Sequence, residues 1–195
     1  VTVNDAQSVT VNGLRAASFV QTTGTGTTTI NTGSFTTDAQ GLATTGSLGV
    51  SIQNAIITVN DSIDTTGTGG VSLNATDATS GVLTLAVDGD IDADGAVDLT
   101  GAAGIETAGD IDTTDDNVTF VSAATLAGNI DIDTGATGGG NVMFSDTLDS
   151  KANSDDSASA LRGLTLTAGT GNVTLTGAVG GASNGELGAI LINSA

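Results

Sequence analysis

The residues of this chain best suited to do chemistry are its carboxylates. Between Asp88 and Asp133, twelve acidic side chains fall within 46 residues without one Lys or Arg among them. Counted from Asp90, the run Asp90-Ile-Asp92-Ala-Asp94-Gly95-Ala-Val-Asp98 puts carboxylates at positions 1, 3, 5 and 9 and glycine at position 6 of a calcium loop, where hard oxygen donors can wrap one Ca2+. The match ends there, because position 12 is Gly101 where a bidentate Glu is needed, and no helical pattern flanks the run. The Gly-Gly-x-Gly-x-Asp repeat of calcium-binding β-rolls is also missing: Gly138-Gly-Gly140 leads into Asn141-Val142. The expectation is a non-helical aspartate cluster of Asp90, Asp92, Asp94, Asp98, Asp110, Asp112, Asp131 and Asp133, with Ca2+ as its one candidate cofactor. The competing reading is plain: the acids face water and keep a simple apolar core soluble.

Other chemistries lack their parts. Asp115 and Asp116 form an adjacent pair that acid–base hydrolysis of a glycan could use. However, the chain has no His, Tyr, Trp or Cys, and only Arg15, Lys151 and Arg162 could bind an acidic sugar or stabilise an oxyanion. With no aromatic stacking platform either, the expectation is a protein that is not an enzyme. Thr165/Thr167 and Thr174/Thr176 form Thr-x-Thr pairs like those of ice-binding solenoids, but the corresponding coils carry Asp-Ile-Asp or Asp98-Leu-Thr100. The β-propensity of threonine explains them more simply. A formal net charge of −19 opposes nucleic acid and anionic membrane as partners and favours cations. The charge is uneven, since residues 61–195 hold twenty acids against Lys151 and Arg162.

Placing these carboxylates is the work of a repeat. Asp90-Ile91-Asp92, Asp110-Ile111-Asp112 and Asp131-Ile132-Asp133 have central Ile residues 20 and 21 apart. Each is followed, after a Gly- or Asp-rich turn, by a second apolar element: Ala96-Val97-Asp98-Leu99, Asn117-Val118-Thr119-Phe120 and Asn141-Val142-Met143-Phe144. The pair recurs upstream as Ser62-Ile63-Asp64 with Val71-Ser72-Leu73, and downstream as Thr165-Leu166-Thr167 with Val173-Thr174-Leu175. From Val71 to Val173 the chain advances 102 residues in four steps, near 25 per coil, with Lys151–Ser159 as the largest polar insert.

Within each element apolar and polar residues alternate, the period of a half-buried strand, and no stretch keeps a helical period. Short strands at this spacing cannot close a core alone, but stacked coils bury a continuous one. Hydrophobic residues make up 38% of the chain and aromatics 2%, so that core is thin and aliphatic. The absence of Pro suits strands paired on both sides. The expected fold is all-β, a parallel β-solenoid with coils of about 20 to 30 residues. Residues 1–195 read as one segment of a longer repeat protein, rising about 4.8 Å per coil. A β-sandwich would explain the alternation but not the constant return of Asp-Ile-Asp.

The stretch Gly163-Leu-Thr-Leu-Thr-Ala-Gly-Thr-Gly-Asn-Val-Thr-Leu-Thr-Gly-Ala-Val-Gly-Gly181, with Leu187-Gly-Ala-Ile-Leu-Ile-Asn-Ser194, resembles the β-strand repeats of giant secreted bacterial proteins of the filamentous-haemagglutinin-like kind. The resemblance is clearest from about residue 60 onward. It implies a right-handed β-helix and an extracellular or cell-surface role as an adhesin stalk, surface fibre or matrix component. The partners it implies are neighbouring copies or flanking repeats stacked end to end, and host or surface glycans or proteins, with no membrane insertion. Two alternatives stand beside this expectation: a calcium-stabilised self-assembling matrix fibre, and a polysaccharide-binding or polysaccharide-cleaving β-helix.

Overall fold

The computed structural model describes residues 1–33, 41–151 and 161–195. The insert that follows Lys151 falls at residues 152–160, outside the described residues. Among the described residues, short stretches of alternating apolar and polar side chains make twenty-three strands and no helix. The strands assemble into three sheets of eight, seven and eight, each pairing being parallel. The chain visits the first, second and third sheets in turn and then climbs to the next coil, as in Val97–Gly101, Ile105–Thr107 and Ile111–Thr113. This is a parallel β-solenoid with three faces and eight coils. Residues 1–33 and 41–60, where the motif is carried loosely, follow the same winding.

Register confirms the repeat read from the sequence. On the first sheet Val50, Val71, Val97, Val118, Val142 and Val173 are successive partners, with advances of 21, 26, 21, 24 and 31 residues. On the third sheet Ile63, Ile91, Ile111, Ile132 and Leu166 are successive partners. All five are buried, because a strand turns alternate side chains to opposite faces and the flanking residues take the outside. Since each coil's inward residues pack against one another and against the coils above and below, the core is a set of adjoining aliphatic columns. Its aromatic contribution is concentrated at Phe120 and Phe144, whose rings stack with centroids 4.4 Å apart.

The corners between the third and first sheets are closed by inward threonines. Thr113 and Thr134 donate their hydroxyls to the carbonyls of Asp116 (2.6 Å) and Gly140 (2.7 Å), and Thr65 donates to Gly69. In these three coils a small side chain at the end of the third-sheet strand thus satisfies a turn carbonyl that strand pairing leaves over. At Gly49 the turn takes φ +54°, and a Cβ there would lie 2.0 Å from the Gly70 carbonyl of the next coil. Only glycine fits this left-handed, close-packed position.

Candidate functional site

The acidic residues gather on the outer face of the third sheet because the Asp-Ile-Asp triplets are stacked in register. Asp64, Asp92, Asp112 and Asp133 are consecutive partners in one outward column. Below Asp64 the column continues through Ala43 to Arg15, and above Asp133 it passes to Thr167 and, across a register shift, to Ser194. Asp90, Asp110 and Asp131 form a second exposed column at the strand entrances. There the carboxylates have a structural job as well. The Asp110 N–H donates to Asp90 Oδ1 at 2.8 Å, and the Asp131 N–H donates to Asp110 Oδ1 at 2.7 Å. Asp90 and Asp110 therefore each receive the main chain of the coil above, a short side chain standing in for a strand carbonyl.

Partial burial, together with the crowding of like charges, raises the proton affinity of two of these carboxylates, Asp112 and Asp131. Partial burial, and then Asp133, Asp92, Asp131 and Asp110, hold the Asp112 carboxyl above the usual carboxylate range. Partial burial also raises Asp131, with Asp110 and Asp133 adding to the shift and the Ile132 N–H opposing it. Both effects favour the neutral form, by removing water or by adding negative potential.

Not every residue of the expected cluster joins this face. Asp94 sits at the corner, where it accepts the Gly67 N–H at 2.7 Å and the Thr114 hydroxyl at 3.3 Å, clasping three coils. Asp98 has turned that corner and stands on the outer face of the first sheet between Ser72 and Thr119, away from Asp90 and Asp92. The loop-like spacing from Asp90 to Asp98 is thus a strand, a corner and a second strand. Among the described residues no group of three or more acidic side chains is arranged to hold a metal ion.

The adjacent acids Asp115 and Asp116 belong to a turn. Asp115 has φ +62° and accepts the Gly139 N–H at 2.8 Å, while the Asp116 carbonyl accepts the Thr113 hydroxyl. The two Thr-x-Thr pairs fall on different faces, Thr165 and Thr167 on the third sheet and Thr174 on the first, so they build no common array. Lys151 pairs with Glu106 across the second sheet's outer face.

Two ladders of asparagine escaped the sequence reading. Asn117 Oδ1 accepts both the main-chain N–H and the side-chain Nδ2 of Asn141, at 2.8 and 3.0 Å. Asn141 Oδ1 accepts the same two groups from Asn172, at 2.8 and 3.1 Å. A second ladder links Asn12, Asn31 and Asn60 through side-chain amides. The available signal was an Asn directly before Val118, Val142 and Val173, at the coil spacing. Compared with protein-family models, curated proteins and solved structures, the chain matched none.

Proposed function

We propose that the chain is a structural rod segment of an extracellular bacterial repeat protein, serving as a surface fibre or adhesin stalk and carrying no catalysis of its own. The observation that carries this reading is the stacking of three parallel sheets, of eight, seven and eight strands, in near-constant register. Such a stack holds its shape by nearest-neighbour contacts, so length is set by the number of coils and stability is renewed in each one. Eight coils reach roughly 40 Å, and added coils lengthen the rod without altering its section. The acids support the reading too. Carboxylates that could do chemistry are instead engaged with neighbouring coils, as Asp90, Asp110 and Asp115 are.

The last coil offers a surface suited to stacking. Ile190 and Ile192 are 39% and 48% exposed, whereas their partners one coil below, Leu164 and Leu166, are fully covered. Further coils, from flanking repeats or another copy, fit that apolar end. An antibody raised against the 195-residue chain tests the reading on intact, unpermeabilised cells of the source organism. Labelled surface fibres that vanish after external protease support it, and label reached only after permeabilisation overturns it. A second reading, a calcium-stabilised matrix fibre, is favoured by the raised proton affinity of Asp112 and Asp131, which a bridging cation would relieve.

A further inference from the structure

We propose that the corner between the third and first sheets carries a binding groove for a neutral, linear oligosaccharide. This goes beyond the rod reading, which would stand even if the groove bound nothing. The groove has a volume of about 480 Å3 and runs across the last three coils. One wall is the ladder Asn117, Asn141 and Asn172; the floor is the outward column Thr119, Met143 and Thr174, which are successive register partners.

The chemistry of the lining selects the ligand. None of these six side chains is charged, in a chain of net charge −19. An anionic polymer would be repelled by the whole molecule, and a cationic one drawn to the third sheet instead. The ladder also fixes which hydrogen bonds remain to be made. The Oδ1 atoms of Asn117 and Asn141 each already accept two donors. The Nδ2 groups of Asn141 and Asn172 each spend one N–H on the ladder and keep one. The wall therefore offers donors at the rise of the coils, and the hydroxyls of Thr119 and Thr174 donate or accept.

A ligand that fits brings oxygen acceptors at regular intervals along the rod, as the hydroxyl-bearing rings of a glycan do. Met143, 37% exposed at the centre of the floor, supplies an adaptable apolar contact for the C–H face of a ring. An extended peptide that adds as a strand would take the free edge of Val173–Leu175 rather than lie along the floor, because the backbone of Val142–Phe144 is paired on both sides. Since the ladder holds the wall rigid, little ordering is left to oppose binding.

The test is a titration of the 15N-labelled chain with cellohexaose and with chitohexaose, and separately with an oligogalacturonate of equal length. The expected result is shifts in the side-chain amides of Asn117, Asn141 and Asn172 with a neutral oligosaccharide, and a dissociation constant on the order of 1 mM. Met143→Asp, a change at an exposed position, should weaken binding by roughly tenfold or more while circular dichroism stays that of the parent. Thr84→Asp on the second sheet should leave binding unaltered. The proposal is overturned if neither neutral oligosaccharide shifts those amides, if the oligogalacturonate binds equally well, or if a folded Met143→Asp binds as the parent does.

Discussion

Replacing Asp112 by Asn should stabilise the protein at neutral pH, which is unusual for the removal of a charge. Asp112 stands between Asp92 and Asp133 in the outer column of the third sheet. Neighbouring strands lie about 4.8 Å apart, so each pair of like charges repels by about 0.9 kcal/mol in water and several times more in a poorly screened setting. Two neighbours give about 1.7 kcal/mol before the freedom of exposed side chains is allowed for, and about 1 kcal/mol after it. Asn keeps the shape and removes the repulsion. Urea unfolding at low ionic strength should show that gain, equivalent to a melting rise of about 2–4 °C for a chain of this size. In roughly 1 M salt, where the screening length is near 3 Å, the gain should disappear. An Asp112→Asn protein that is less stable than the parent at low salt would refute the reasoning, because the column would then hold an attraction that the structure does not contain.

The same crowding sets the pH response: Asp112 and Asp131 bind protons more readily folded than unfolded, so stability should rise as pH falls through their raised folded values and level off below the ordinary carboxylate value near 3.8. A melting temperature that falls steadily from neutral pH through this window would count against it, although Asp77, lowered by the Ser80 and Thr79 N–H groups, works in the opposite sense at the acid end. Ile111→Ala should cost about 2–5 kcal/mol in chemical unfolding, since Ile111 is fully buried between Ile91 and Ile132; an unchanged transition would remove the inward column. Millimolar Ca2+ against chelator at constant ionic strength should raise the melting point if cations bridge the columns, with the rise lost in Asp92→Asn/Asp112→Asn; equal melting in both buffers would leave the columns as a solvated face. Deleting Val97–Asn117, one full coil by register, should leave a shorter stack with the same circular dichroism, and a chain that no longer folds would argue against coil-by-coil stability.

Much of the fold was legible because one side-chain period did the work. Ile91, Ile111 and Ile132 sit between acids at nearly constant spacing, and only a strand that buries the centre and wets both sides suits that pattern. The upstream and downstream matches, Ile63 and Leu166, fall into the same column although neither keeps the full triplet. The second sheet was harder to see. Its strands Leu83–Leu85, Ile105–Thr107, Ala124–Leu126 and Leu148–Ser150 share alternation but no common tripeptide, so nothing in their composition marks them as equivalent.

The candidate site was legible only where strand geometry decides it. Stacking alone puts Asp92, Asp112 and Asp133 in a line, and sequence spacing predicts that line. It misleads at Asp98, because a reader of spacing assumes one continuous loop where the chain in fact turns a corner between two sheets. The ladders show the other limit. Asn117, Asn141 and Asn172 look like ordinary turn residues until coils are superposed, and then the amides of Asn117 and Asn141 are each seen to satisfy both the side chain and the main chain of the coil above. A carboxylate placed there could take the main-chain N–H, as Asp90 does, but would have no N–H of its own to donate downward, and it would face a like charge in the next coil. That difference separates the two exposed columns: both receive a main-chain N–H from the coil above, and only the asparagines add a side-chain link from coil to coil.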